Sequence, residues 1–461
     1  MISAIRRVAA READGSSPVR SGWLERASRR HAALISPGLA PRLSPRTSCG
    51  SRLGTLGVYD RTIAPGRALD SLPCVPSPSD MGTVRRAGLA AAIAAAPLGL
   101  AFRFALAYRA RAGFPRQHPP ILSPADLGLP FEPMTLRDGA VTLPAWFIPA
   151  RNGAAGPGVA LIHGWESARD RTLPNAVFLH AAGFHVLTID VRGHGANLPE
   201  TLPVSAGEFG ADALVAFDAL LARPEVTVGA IAGHSMGAIG AILAAAADPR
   251  VAAVVATSGP ADPYRLTRQT FRLAHLPIPD PIAYPLAWLT TLVYLRPRGH
   301  RVSGVSATRA IARYRGPVLL AHGSDDRVVP ASHLDRLAAA ARSTRADDPS
   351  AAPVETLVVA GGEHSWLYED PGYRRVVATF LARSLRGPLS PDAAGDVAAA
   401  TAAERVPNGE TRFAAVDENP GGFRTLAQVA MPGGTRAPVR PRPPAPAGDE
   451  VPAGADEPGL G

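Results

Sequence analysis

The stretch of this 461-residue chain best equipped for chemistry is Gly233-His234-Ser235-Met236-Gly237. It follows an apolar run, Val226–Ala232, and precedes a second apolar stretch, Ala238–Ala247. That order predicts a sharp strand-to-helix turn with the Ser235 hydroxyl lifted clear of a sheet. The two glycines remove Cβ atoms that would clash there, and the helix N-terminus favours negative charge developing beside the hydroxyl. A serine hydroxyl is a weak nucleophile until a base takes its proton, and the base needs a carboxylate to orient it. Of the twelve histidines only His333 and His364 lie beyond the later acid candidates. His333 falls inside a predicted helix, whereas His364 sits in a Gly-rich loop directly after a predicted strand, so His364 is the expected base. The acid is Asp325 or Asp326, in His322–Pro330, again straight after a strand. Being adjacent, only one of the two can face His364. Such a set would attack an acyl carbon and pass through a covalent intermediate.

These side chains need a scaffold that brings strand ends together. Short apolar runs recur at Val159–Ile162, His185–Asp190, Val226–Ala232, Val251–Ser258, Pro317–Ala321 and Val354–Val359. They are continuous rather than alternating, as expected of parallel strands buried on both faces. Helical stretches such as Phe209–Leu221 and Ser332–Ala341 lie between them. Ahead of them, Phe131–Arg137 and Val141–Ala150 alternate around Asp138-Gly139, a hairpin signal. The pattern predicts an α/β fold with a mostly parallel central sheet and helices on both faces. The interval between Ser258 and Pro317 is too long for a simple crossover, and residues 259–315 are expected to form a small helical cap. Cap aromatics such as Trp288 and Tyr294 could line a pocket or pack as core.

Together these features resemble the α/β-hydrolase family, whose triad runs Ser, then Asp or Glu, then His. Ser235, Asp326 and His364 occur in that order. His322–Pro330 is similar to the family's His-Gly-x-x-Asp-x-x-Val-Pro element, which selects Asp326. His163-Gly164-Trp165 resembles the oxyanion-loop motif, and Asp190–Gly195 the turn after the next strand. The resemblance implies an oxyanion hole made by the backbone N–H groups of Trp165 and Met236, and a cap inserted after the strand that follows the nucleophile helix. It covers roughly residues 131–386 and is closest to a bacterial serine-aminopeptidase-like or lysophospholipase-like group with an N-terminal hydrophobic segment. The chain departs from it in long flanking tails and an insert near Ser343–Pro353. The implied activity is cleavage of a carboxylic ester, with a small-molecule or lipid-like acyl substrate. An aminopeptidase or acyltransferase using the same triad is the alternative, and a non-catalytic membrane-anchored binding protein the remote one. His163, His194, His234 and His322 each sit beside a loop glycine and are read as structural. No cofactor or metal is expected.

Composition narrows the remaining classes. The two cysteines, Cys49 and Cys74, precede anything that reads as folded, which argues against a disulfide framework, a Cys-based zinc site or a catalytic cysteine. A mean hydropathy of +0.05 argues against a polytopic membrane protein. The net charge of +9 is concentrated in residues 1–80, which hold twelve Arg and six acids, so no nucleic-acid partner is expected. That segment, rich in Arg, Ser and Pro, reads as a disordered tail. Met81 opens a basic stretch and then the apolar run Ala87–Phe102, as a translation start would, and residues 1–80 need not be translated. Residues 81–112 are read as a membrane anchor or export segment, with Ala105-Leu106-Ala107 as a small-x-small cleavage site. Membrane association or export is the expectation, and a cytoplasmic location the alternative. Residues 113–130 read as a linker and 387–461 as a disordered Pro/Ala/Gly-rich tail. The sequence leaves the oligomeric state open.

Overall fold

The computed structural model describes residues 78–403 and 406, apart from 152, 347, 349 and 350. Residues 1–77 and most of the C-terminal tail, expected to be disordered, lie outside the described residues. The chain divides into two units at Ala95. The described part of the first is the opening half of helix α1 (Pro78–Ala112), an Ala-rich helix that continues through Pro97.

The second unit is built on an eight-stranded sheet. Its strands are β1 (Glu132–Asp138), β2 (Val141–Ile148), β3 (Gly156–Ile162), β4 (His185–Ile189), β5 (Val226–His234), β6 (Val251–Thr257), β7 (Val318–Gly323) and β8 (Val354–Val359). The spatial order is β1-β2-β4-β3-β5-β6-β7-β8. β2 pairs antiparallel with both β1 and β4, and every other pairing is parallel. The chain leaves β3 for β4 on one side and then crosses to β5 on the other. This reversal opens a crevice at the strands' C-terminal ends, where open α/β sheets bind ligands.

Each face of the sheet carries its own core. Helices α3 (Ala206–Leu221) and α4 (Met236–Ala247) cover one face, with Phe209, Phe217 and Ile239 fully buried between them and the strands. Helices α2 (Leu173–Ala181) and α9 (Pro371–Leu385) cover the other, burying Phe178, Phe184 and Phe380. With apolar layers on both sides, the central strands have no polar face, which explains their continuous apolar runs.

The expected cap occupies the β6–β7 interval. It holds α5 (Pro263–Leu273) and α6 (Asp280–Leu295), while α7 (Ala307–Ile311) belongs to the main body, since Ala307, Ala310 and Ile311 are buried in the core. The last turns of α1 pack on this cap. Phe104 and Tyr108 meet Phe271 edge-to-face at 5.4 and 6.0 Å, and the Tyr108 hydroxyl bonds Thr270 Oγ1 at 3.0 Å. Ala105, read as part of a cleavage site, is fully buried in this contact region.

Two expectations need correction. The 113–130 linker is pinned: Arg116 N–H donates to Glu166 Oε1 and Ile121 N–H to Asp170 Oδ2, and Pro124–Leu127 form a 3₁₀ turn. The tail from 387 is not wholly structureless either, because Pro391–Ala400 forms helix α10. Ser390 Oγ caps it by accepting the Ala393 N–H, Pro391 fits its first turn, and Ala394 and Ala398 are fully buried on the α9 side of the sheet.

Candidate active site

Ser235 stands between β5 and α4, with φ 55° and ψ −117°, a backbone conformation that L-residues with a side chain seldom adopt. The flanking glycines make it attainable. A Cβ on Gly233 would lie 2.1 Å from the Gly237 carbonyl oxygen, and one on Gly237 would lie 2.2 Å from that of Ile162. The turn is anchored sideways by the Ser235 N–H, which donates to Thr257 O at the end of β6.

The three side chains read as a triad lie within hydrogen-bonding distance of one another in sequence order. His364 Nε2 lies 3.0 Å from Ser235 Oγ, and His364 Nδ1 lies 2.8 Å from Asp326 Oδ2. The three side chains come from the ends of β5, β7 and β8, which lie within four consecutive strands of the sheet. Asp326 also accepts the Val329 N–H on Oδ1, and His322 Nε2 lies 3.2 Å from Oδ2. Burial works to raise its pKa, but the His364 charge and the bonds from His322 and His364 outweigh that and hold the carboxyl well below its ordinary range. An ionised Asp326 fixes the proton on His364 Nδ1, which leaves Nε2 with a lone pair facing the serine hydroxyl.

The rejected candidates are elsewhere engaged. Asp325 is exposed and accepts the Ser324 hydroxyl. His333 accepts the Ala261 N–H on Nδ1, tying α8 (Ser332–Ser343) to the root of the cap. The four loop histidines all bond to backbone. His163 accepts the Val191 N–H, His194 Nδ1 lies 3.0 Å from Arg192 O, and His322 Nε2 lies 2.6 Å from Val329 O. His234 Nε2 lies 2.7 Å from His364 O, so the residue beside Ser235 holds the loop that carries His364. Burial, with the His364 charge next in weight, pushes His234 down to about 3 and keeps it neutral.

Trp165 and Met236 both border the space around Ser235. Neither backbone N–H bonds to another of the described residues. The Trp165 loop is braced by Asp190, whose carboxylate accepts the N–H groups of Arg169 and Ala196 and pairs with the Arg169 guanidinium. Glu166 follows at φ 51°, fully buried.

Two clefts meet at Ser235, of about 1020 and 1010 Å³ with their open mouths included. The first reaches past His364 to Arg171, Asn175 and Tyr368, and is the more polar. The second runs under the cap. Arg171 and Asn175 are site residues that sequence reasoning missed, since neither stands in a recognisable motif. Among the described residues no group of three or more His, Cys, Asp or Glu side chains is placed to hold a metal ion.

Comparison with known proteins agrees with this architecture. An uncharacterised protein of Mycobacterium tuberculosis is 31% identical over 234 residues, covering 50% of this chain and 70% of its own. Among solved structures, an esterase of Pyrococcus furiosus aligns at 21% identity over 59% of this chain and 98% of its own, with a TM-score of 0.47. Est1E of Butyrivibrio proteoclasticus, with ferulic acid bound, aligns at 18% identity over 55% and 99%, with a TM-score of 0.43. The model of the alpha/beta hydrolase family matches residues 159–379, the span that holds the nucleophile turn, the cap and the loop of His364, and the chain belongs to that family.

Proposed function

We propose that the protein is a serine hydrolase that cleaves a carboxylic ester through an acyl-enzyme. The observation that carries this reading is the unbroken hydrogen-bonded line from Ser235 through His364 to an ionised Asp326, at the junction of two clefts. In the proposed mechanism Ser235 Oγ attacks the acyl carbon as its proton passes to His364 Nε2. The N–H groups of Trp165 and Met236 take the charge on the carbonyl oxygen, each such donor being worth about 3–4 kcal/mol in the transition state. His364 returns the proton to the leaving alcohol, and a water molecule repeats the sequence to free the acid and restore Ser235. Asp326 holds the imidazole and stabilises its charged form.

Ester rather than aminoacyl amide is favoured by charge. Among the described residues no carboxylate lines either cleft, and the first carries the cation Arg171, so neither lining offers a carboxylate partner to a substrate ammonium group. Hydrolysis of p-nitrophenyl esters and fluorophosphonate labelling are expected of the wild-type protein. Ser235→Ala should abolish labelling and lower turnover by about 10⁴-fold or more. Turnover that survives the substitution would sink the mechanism.

The reading includes a place at a membrane. The stretch Arg85–Ala112 is long and apolar enough to cross one, with a mean hydropathy of 1.8 over its best 18 residues. Up to Arg103, before the turns that pack on the cap, it rises about 28 Å, close to the roughly 30 Å hydrocarbon core. The full chain should sediment with membranes and need detergent for release. Recovery of all the enzyme in the soluble fraction would remove this part of the proposal.

A further inference from the structure

The cleft beneath the cap has a chemical character that its lining does not suggest at first sight. Besides Ile239, Leu266, Leu295 and Val328 it is bordered by six hydroxyl side chains other than the nucleophile. All six are already committed within the protein. Thr291 donates to Ala287 O one turn back and accepts the Thr267 hydroxyl at 2.9 Å, and Thr270 donates to Thr267 O. Tyr108 bonds Thr270, Tyr294 donates to Val204 O at 2.6 Å, and Ser205 donates to Glu208. Among the described residues no charged side chain lines the cleft. With its hydroxyl protons spent inside the protein, on backbone carbonyls, on Glu208 and on one another, the wall offers an occupant methyl and methylene surface, which favours a hydrocarbon chain by about 0.8 kcal/mol per buried methylene.

One wall of this cleft comes from outside the cap and the sheet. Tyr108 and Ala112, on the last two turns of α1, border the same space as Ser235 and Met236. They are fixed there by the Phe271 contact, by the Tyr108–Thr270 bond and by Tyr294, whose hydroxyl also reaches Ala112 O at 3.2 Å. We infer that the end of α1 is part of the substrate site: Tyr108 and Ala112 form the wall that receives an apolar acyl chain and sets its accepted length. The inference rests on the ester-hydrolase reading for its chemistry, but the binding site it names does not need the chemistry to be tested. It makes one helix both the apolar segment of the chain and a determinant of specificity.

The test is a series of p-nitrophenyl esters from acetate to dodecanoate, with decanoate titrated into the full chain carrying Ser235→Ala. Ala112→Phe fills the cleft and should lower the decanoate-to-acetate ratio of kcat/KM by about tenfold or more, the effect of excluding two methylenes. Tyr108→Ala opens it and should move the optimum toward longer chains. Ala110→Phe, on the same turn but exposed, controls for damage to the helix. In the Ser235→Ala background, Ala112→Phe should weaken decanoate binding by a similar factor. Unchanged decanoate affinity in that variant, or an equal loss with Ala110→Phe, overturns the inference. Loss of decanoate binding in a protein that turns over no ester would instead uphold the site and discard the hydrolase reading.

Discussion

At the scale of single residues, the site depends on how Asp326 is treated. Its carboxylate is buried and receives a backbone N–H as well as two imidazoles, so that solvent has no part in keeping it ionised. Asn at this position can keep the shape but presents an amide where His364 Nδ1–H needs an acceptor. The imidazole then turns to the wrong tautomer, with its proton facing Ser235. Asp326→Asn should therefore lower kcat by about 10⁴-fold with little change in KM, read by steady-state ester hydrolysis. A loss of tenfold or less would mean that another group orients the base. The grouping of Ser235, Asp326 and His364 was legible in the sequence because each follows a strand and the turn around Ser235 demands glycine on both sides. The tie from His234 to the His364 carbonyl was not. A lone histidine carries no mark of a partner 130 positions away.

At the scale of elements, the strands were legible to within three residues at either end, since burial on both faces leaves apolar runs with no alternation to confuse them. The errors fell on a Pro-rich segment, 113–130, and on alanine-rich ones. Helix α10 was hidden because its buried face consists of Ala394, Gly395 and Ala398, which give no hydrophobic period, and its Pro and Gly content imitates a tail. Only Ser390-Pro391, a cap residue before a first-turn proline, marked it. The docking of α1 was hidden for a different reason: Phe104 and Tyr108 stand one helical turn apart, but their partner Phe271 is remote in sequence. The physical weight of α10 can be measured. The buried Arg374 guanidinium donates to Ala398 O and Ala399 O from α9, besides Tyr368 O and Glu369 O. Ending the chain after Gly387 strips two of these acceptors and uncovers apolar surface on α9, whereas ending it after Ala403 does neither. The shorter protein should be less stable by about 2–5 kcal/mol. At about 2–4 °C per kcal/mol for a domain of this class, its melting temperature should fall by roughly 5–20 °C. Equal melting temperatures for the two truncations would show that α10 adds nothing to the fold.

At the scale of the whole molecule, the buried histidines tie stability to pH. Burial, the largest influence on each, pushes His163 and His333 down to about 4 and His194 and His234 down to about 3, from an ordinary 6.5. His234 holds the loop of His364, His333 anchors the cap, and His163 and His194 lie side by side next to Trp165, so the four are spread over three parts of the fold. In the unfolded chain each takes up a proton near pH 6.5, while in the folded protein each stays neutral until the pH approaches about 4 or about 3. Below 6.5 the unfolded state thus holds more protons, and stability must fall as pH falls. The contribution is fully present above pH 6.5 and is lost progressively toward the folded values of about 3 to 4. Each group adds at most about 1.4 kcal/mol per pH unit, so the four together set a limiting slope of about 5 kcal/mol per unit. Few domains have more than about 15 kcal/mol to lose. The urea midpoint should therefore drop steeply between pH 6.5 and 5, a range in which unfolded carboxyls remain largely ionised, and unfolding at pH 5 should take up about four protons from these residues. A midpoint that stayed level or rose on acidification through that range would mean that the histidines are charged in the folded protein, and with them would go the neutral packing of His234 against the His364 loop.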